Sequence, residues 1–261
     1  MKLVVRFVFA LCILGIVRVA VLTAAEEEVA KKPEADEALK VLKDGNERFL
    51  AGKPLRPHAG TDRIKLAGEA NQGAYAYATV LSCSDSRVPV EYVFDAGVMD
   101  VFVVRIAGNV CDTDEIGSIE YGIAHVKTPV LVVLGHSQCG AVTAVCDHLQ
   151  GKKQQLERNI PPLVDKIIPA AERAMKSHSE LKGAELLPYA IEENVWQSIN
   201  DLFMKSPATR QLVKDGKVKL VGAIYDVGSG KVNWLPDAKV AELLKKVEES
   251  PEKAKEAYAT E

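Results

Sequence analysis

The sequence lacks any cluster of basic residues, and its acidic residues slightly outnumber its basic ones. The 261-residue chain contains 33 Lys and Arg against 36 Asp and Glu, which gives a formal net charge of −3. Nucleic-acid-binding domains usually carry a basic patch, so this composition argues against nucleic acid as the partner. Internal repeats and low-complexity tracts are missing as well, and the length suits one ordinary α/β domain or two small ones.

No apolar run in the sequence is long enough to span a membrane without interruption. Two basic residues precede an apolar run over residues 7–17, and small residues follow at 23–25, which is the layout of a secretory signal peptide. Arg18 breaks the run, which argues against a membrane span of ~20 apolar residues. We therefore expect residues 1–25 to be removed on export, leaving a periplasmic or secreted protein without stable membrane insertion. An uncleaved anchor and a misassigned start are the alternatives.

Cysteines are few, and four of the five lie outside the predicted signal peptide: Cys83, Cys111, Cys139 and Cys146. In an exported protein, an even number of cysteines is usually explained by disulfides. Hydrophobic residues make up 48% of the chain, enough for a core that needs no covalent cross-links. Disulfide pairing therefore remains open beside the metal-binding role developed below.

Short apolar runs alternate with helical patterns along the middle of the chain. Such runs are typical of parallel strands that are buried on both faces. The alternation predicts an open, mostly parallel twisted sheet with helices on both faces and an antiparallel edge strand. The predicted strands cover 76–82, 100–105, 130–134, 219–225 and 232–235, and the predicted helices between them cover 116–125 and 140–149.

The remaining segments are assigned around this core. Residues 26–60 form an N-terminal helix, over 34–50, and a proline-broken arm, and residues 61–240 form the α/β domain. Within the domain, the Lys- and Glu-rich stretch 151–183 predicts a polar helical insertion, which we interpret as a solvated surface element. Residues 241–261 continue a charged helical tail that either docks weakly or frays.

Two motifs occur where predicted strands end. C-S-D-S-R at 83–87 follows one strand, and G-H-S-Q-C-G at 135–140 follows another. If these strands are neighbours where the strand order reverses, Cys83, His136 and Cys139 converge on one spot. Two thiolates and an imidazole suit zinc, and three protein ligands leave the fourth tetrahedral position open, as in catalytic sites.

Alternatives to this open site remain. Cys111 or Cys146 could act as a fourth ligand and make the site inert. Asp85 and Arg87 are close enough in the chain to form a bidentate ion pair, which is either purely structural or part of the reaction. A carboxylate held ionised in this way can accept a hydrogen bond from zinc-bound hydroxide. Asp85 could also occupy the fourth position itself and close the site.

With R-I-A-G-N at 105–109 and G-S-I-E-Y-G at 117–122, the motifs resemble the β-class carbonic anhydrases from about residue 34 to residue 235. The resemblance implies one zinc ion per subunit, held by Cys83, His136 and Cys139. It also implies that Asp85 and Arg87 form the catalytic dyad, with Asp85 a zinc ligand in the inactive state of some members.

The resemblance extends to the substrate pocket. Phe102 and Tyr121 match positions that line it, often across a dimer interface, Gly140 matches a backbone donor to the bound anion, and Gln72 is the candidate for the family's pocket glutamine. The implied activity is the reversible hydration of carbon dioxide to bicarbonate by a homodimer or homotetramer. Because two thiolates should make the metal less acidifying, we expect activity to rise at alkaline pH. A carbon disulfide or carbonyl sulfide hydrolase and a non-catalytic zinc or redox protein are the alternatives.

Overall fold

The computed structural model describes residues 32–153 and 155–259, so the predicted signal peptide lies outside the described residues. A five-stranded sheet with the order β2-β1-β3-β4-β5 forms the centre of this part of the chain. All neighbouring strands are parallel except β4 and β5, which are antiparallel. The predicted sheet type and its antiparallel edge strand are confirmed. The strands are β1 Ala78–Ser82, β2 Val101–Arg105, β3 Val130–His136, β4 Lys219–Tyr225 and β5 Val232–Trp234.

Helices flank the sheet on both faces, as predicted. The helix expected over 116–125 begins at Thr113 and ends in a π-helical turn, Tyr121–His125. The helices are α1 Ala35–Leu50, α2 Thr61–Glu69, α3 Val90–Val93, α4 Thr113–Glu120, α5 Gly140–Leu149, α6 Ile160–Val164, α7 Ile168–Ser177, α8 Leu187–Lys205, α9 Pro207–Lys214 and α10 Asp237–Glu249. None of the helices in the described ranges has the length and apolar character that a membrane span requires.

The central strand β3 shows how the two layers are built. Successive side chains of a strand point to opposite faces of the sheet. Val130, Val132 and Leu134 pack into a core with α1 and α3. Leu131 and Val133 pack into a second core with α4, α8 and α10. Because both faces of β3 are covered, the strand is an uninterrupted apolar run in the sequence.

The insertion at 151–183 is helical, but its interpretation as a solvated surface element is wrong for one face. Ile167, Ala170, Ala171 and Ala174 are at most 1% exposed. Ile167, Ala171 and Ala174 pack with residues of α5 and α8 beside the carboxyl end of the sheet. The buried face consists largely of alanines, so the charged composition of the segment hides its amphipathic character.

Two further elements complete the second core. Helix α8 is absent from the sequence-based prediction, and it packs Val195, Ile199 and Phe203 against the sheet. The tail helix α10 docks rather than frays, because Val240 and Val247 are buried in the same core. Helix α8 matters for function because it also lies next to β3 and to the turn that follows β2.

Candidate metal centre and active site

The two motifs meet at the point in the sheet where strand order reverses. The chain passes from β1 to β2 on one side and returns to place β3 on the other side of β1. Ser82 pairs with Leu134, so the carboxyl ends of β1 and β3 lie together. Cys83 directly follows β1, and His136 is the last residue of β3. Loops at such a position form the ligand sites of open α/β sheets.

Cys83, His136 and Cys139 form a compact and buried group. Their ligand atoms all lie within 4.8 Å of one another, and no other described residues form a cluster of this kind. The four cysteines of the described ranges are buried free thiols, and neither Cys111 nor Cys146 belongs to the group. The structure therefore contains no disulfide among these four cysteines and no fourth cysteine that could complete the ligand set.

His136 is oriented as a metal ligand. Its Nδ1 lies 2.9 Å from the carbonyl oxygen of Ser137, so this nitrogen carries the proton and donates it. Nε2 then carries the lone pair, and it is buried without a hydrogen-bond partner. A backbone carbonyl that fixes the histidine tautomer in this way is the usual support of a metal-ligating imidazole. The orphaned Nε2 thus fits a cation held together with the two sulfurs.

The two thiols of the group lie close enough to shift each other's pKa. The neighbouring Cys139 thiol lowers the pKa of Cys83, and burial opposes this change. In turn, the neighbouring Cys83 and burial raise the pKa of Cys139. Because sulfur binds a metal as the thiolate, cation binding would release protons from this pair.

Asp85 and Arg87 form a bidentate ion pair beside this group. Arg87 Nε lies 2.9 Å from Asp85 Oδ1, and Arg87 Nη2 lies 2.7 Å from Asp85 Oδ2. The guanidinium holds the pKa of Asp85 well below its usual range. Asp85 Oδ2 lies 4.0 Å from His136 Nε2, and Arg87 Nη2 also donates to the carbonyl oxygen of Gln138 at 3.1 Å. Arg87 thus joins the two motifs and keeps an ionised carboxylate at the metal-binding group.

Arg105 holds the first motif in place from the end of β2. Its Nε donates to the carbonyl oxygen of Cys83 at 3.0 Å, and its Nη2 donates to the carbonyl oxygen of Asp85 at 2.7 Å. This role of Arg105 was not predicted from the sequence, in which the residue is only the first of the R-I-A-G-N motif. The position of an arginine at the carboxyl end of a strand next to β1 was the one feature of the sequence that could have indicated this role.

Comparison with known proteins agrees with this geometry. The carbonic anhydrase family profile matches residues 78–232, which include both motifs. The chain is 36% identical over 200 residues to a carbonic anhydrase of Mycolicibacterium smegmatis, covering 75% of this chain and 90% of the relative. It is 33% identical over 200 residues to carbonic anhydrase 2 of Mycobacterium tuberculosis, covering 74% of this chain and 89% of the relative. This chain belongs to the carbonic anhydrase family.

Solved structures place it with the β-carbonic anhydrases in fold. The β-carbonic anhydrase CafA of Aspergillus fumigatus matches with a TM-score of 0.62 and 24% identity, covering 81% of this chain and 95% of that one. The β-carbonic anhydrase CcaA matches with a TM-score of 0.60 and 23% identity, covering 77% and 96%. A tetrameric β-carbonic anhydrase of Sordaria macrospora matches with a TM-score of 0.54 and 24% identity, covering 66% and 84%. The chain is therefore an enzyme, a lyase of the carbonic anhydrase family, with the β-type fold.

Within one chain, the other residues predicted to line the pocket do not all lie beside the metal group. Gly140 follows Cys139 directly and begins α5. Gln72 lies in a 3-10 turn before β1, at the end of that strand opposite to Cys83. The rings of Phe102 and Tyr121 contact each other with centroids 6.0 Å apart, and Tyr121 is 52% exposed. These two rings lie by the edge strand β2, so their pocket role stays a prediction.

Proposed function

We propose that this carbonic anhydrase reversibly hydrates carbon dioxide at one zinc ion per subunit, held by Cys83, His136 and Cys139. The observation that carries the proposal is the buried convergence of two sulfurs and an orphaned imidazole nitrogen within 4.8 Å. When bound, zinc supplies a Lewis acid that generates a nucleophile from water near neutral pH. Three protein ligands fit this use, because they leave one coordination position for the reacting water.

In this proposal Asp85 accepts a hydrogen bond from the reacting water and thereby orients it toward carbon dioxide. Arg87 supports this role because its guanidinium keeps the carboxylate ionised and its orientation fixed. Direct ligation of zinc by Asp85 would require the carboxylate to give up part of this bidentate pair. The ion pair therefore favours an Asp85 that faces the metal position over one that closes it at rest.

We also propose that the working unit is a homodimer, with further pairing into a tetramer. Strand β2 is an edge of the sheet in the described chain, and its residues are only partly buried. The exposed ring of Tyr121 and its neighbour Phe102 lie at this edge. A second copy placed there would cover the edge and bring Gln72, Phe102 and Tyr121 toward the partner's metal group.

The site of action is proposed from the sequence alone. A cleaved signal peptide over residues 1–25 would place the mature enzyme in the periplasm or outside the cell. Expression of the full chain in a bacterial host, followed by fractionation and N-terminal sequencing, tests this. A mature protein that begins near residue 26 in the exported fraction supports the proposal, and an intact N-terminus in the cytoplasm contradicts it.

The catalytic proposal is tested by measuring zinc content and stopped-flow carbon dioxide hydration on the same preparation. We expect about one zinc per chain and hydration that rises toward alkaline pH. Parallel assays with carbon disulfide and carbonyl sulfide separate the enzyme alternatives. Zinc binding without hydration would contradict the proposal, and turnover of carbon disulfide instead of carbon dioxide would replace it.

A further inference from the structure

The turn that follows β2 contacts the metal-binding group through its backbone. The N–H of Gly108 donates to Cys83 Sγ at 3.2 Å. Gly108 has a φ of 71°, and a Cβ at this position would lie 2.7 Å from Ile167 Cδ1 and 3.0 Å from Ala141 Cβ. Glycine tolerates the positive φ and has no Cβ to clash with Ile167 and Ala141. It also leaves the turn free to change its backbone torsions unless neighbouring groups hold it.

Two side chains of α8 hold this turn from behind. Asn194 Nδ2 donates to the carbonyl oxygen of Gly108 at 2.7 Å. Ser198 Oγ donates to the carbonyl oxygen of Asn109 at 2.8 Å. Asn194 is 2% exposed and Ser198 is 1% exposed, so neither hydrogen bond competes with water. A chain of hydrogen bonds thus runs from Asn194 through the Gly108 turn to the sulfur of Cys83.

We propose that Asn194 is a positioning residue for the metal centre, whose side-chain amide keeps the Gly108 N–H aimed at Cys83 Sγ. Ser198 is the second and weaker anchor of the same turn. The inference rests on the proposed zinc site, because its effect is exerted on a metal ligand. An N–H group that donates to a thiolate withdraws charge from the sulfur and so alters how strongly the sulfur donates to a metal.

The location of Asn194 favours this role over simple packing. Its helix neighbours Ala190, Ile191 and Val195 are buried apolar residues, so a polar amide between them is costly unless it is hydrogen-bonded. Its partner is the backbone of a turn that donates to Cys83. Loss of the amide leaves the Gly108 carbonyl without that partner and lets the glycine turn relax.

The test uses the protein loaded with Co²⁺, whose thiolate-to-metal charge-transfer band reports the sulfur ligands directly. We compare the wild type with Asn194→Ala for the band position and for the cobalt dissociation constant, measured by competition with a chelator. Removal of such an outer-shell partner typically weakens metal binding about 10–100-fold. We expect Asn194→Ala to bind cobalt about 10-fold more weakly, with a displaced band.

Asn46→Ala is the matched control. Asn46 is also a buried amide, but its hydrogen-bond partners Val93, Gly230 and Val232 lie outside the metal group. The Asn46→Ala variant should bind cobalt like the wild type, although it should unfold more easily. Should Asn194→Ala fail to fold, Ser198→Ala should show a smaller change in the same direction.

Three results would overturn the inference. If a folded Asn194→Ala has the band position and the cobalt dissociation constant of the wild type, the amide is only structural. If Asn46→Ala changes the band position and the cobalt dissociation constant as much as Asn194→Ala does, the cause is a general loss of stability and not the Gly108 turn. A wild type without a thiolate-to-cobalt band would refute the metal site itself, and the inference with it.

Discussion

In the proposed mechanism, Asp85 is the residue on which catalysis depends most beyond the metal ligands. It carries a negative charge beside two sulfurs, and Arg87 offsets the repulsion that this arrangement creates. Because the guanidinium holds the pKa of Asp85 well below its usual range, the carboxylate is ionised throughout the pH range in which the enzyme would work. Acidification across neutrality should therefore affect the reacting water before it affects Asp85.

Asp85→Ala should retain zinc and lose carbon dioxide hydration by at least about 100-fold, the lower bound typical of a positioned proton-handling group. The variant keeps Cys83, His136 and Cys139, so metal binding should persist. Zinc analysis and stopped-flow hydration on one preparation check both parts. Ser86→Ala, an exposed change within the same motif, is the control and should leave both values near those of the wild type. Full activity in Asp85→Ala would remove the carboxylate from the mechanism.

The convergence of Cys83, His136 and Cys139 could be predicted from the sequence because the two motifs that carry them follow short apolar runs typical of buried strands. Adjacent β1 and β3 were assumed in that prediction and are confirmed. Arg105 and Asn194 could not be predicted in the same way, since both act on backbone groups that are distant in sequence. The spacing of Asn194 among apolar residues of one helix marks it as a buried polar residue, but gives no indication of its partner.

At the scale of elements, α1 packs against the end of α3 through a glycine. A Cβ at Gly45 would lie 1.9 Å from the carbonyl oxygen of Phe94, which is too close for any side chain. Since the obstructing atom belongs to the backbone, the two helices can separate only by disturbing the first core. The N-terminal helix is therefore an integral part of the domain.

Gly45→Ala should destabilise the protein by about 3 kcal/mol, the upper part of the range for overpacked sites. Gly68→Ala is the matched control, because Gly68 also lies in a helix but has no atoms within 4 Å of its Cβ position. This control should lose no stability, since alanine is the better helix former. Urea unfolding of both variants measures the difference. Equal stability of the two variants would contradict the close packing of α1.

The arm after α1 is fixed by a buried carboxylate. Asp95 accepts hydrogen bonds from Arg48 Nε at 2.6 Å and from the backbone N–H groups of Leu55 and Arg56 at 2.9 Å. Burial acts to raise the pKa of Asp95, but these three donors outweigh it and lower the pKa. A carboxylate whose folded-state pKa is lowered stabilises the fold above its unfolded pKa of ~3.9, and this contribution is lost as the pH falls below that value.

Asp95→Asn should therefore cost about 2–3 kcal/mol of stability at neutral pH, which lies in the upper part of the range for hydrogen bonds to a charged group. The difference in the free energy of unfolding between the variant and the wild type should stay constant between pH 6 and 8 and shrink below about pH 4. Urea unfolding across this pH range provides the measurement. Asp62→Asn, at an exposed carboxylate of α2, should show no such pattern. A difference between Asp95→Asn and the wild type that grows on acidification would contradict the sign of the pKa shift.

Most elements could be predicted because their patterns are local. The strands and helices α1 and α5 have clear apolar periodicity or short buried runs. The buried face of α7 was missed because it is made of alanines, and the docking of α10 was left open because a charged helix can also remain solvated. In both cases contacts with α8, an element distant in sequence, decide the outcome.

At the scale of the whole molecule, the strand β2 has an unpaired outer edge in the described part of the single chain, and its residues are only partly buried. Long unpaired edges are usually shortened, charged or covered in stable proteins. Here the neighbouring surface carries the exposed ring of Tyr121. Pairing of two copies at this edge would cover the ring and complete the proposed pocket.

Tyr121→Lys should weaken the proposed dimer and reduce hydration together, since the same surface serves both. Analytical ultracentrifugation across a concentration series gives the dissociation constant, and stopped-flow assays on the same samples give the rate. Tyr258→Lys places the same charge on a tyrosine that is 88% exposed in the tail, and it should change neither value. A monomeric wild type with full activity would contradict the proposed assembly.

The most direct test is to remove the metal with a chelator and restore activity by titration with zinc. We predict that hydration disappears on removal and returns in proportion to added zinc up to one ion per chain, whereas Cys139→Ser recovers little activity at the same zinc concentrations. Undiminished hydration in the metal-free protein, or full recovery in Cys139→Ser, would contradict a zinc centre formed by Cys83, His136 and Cys139.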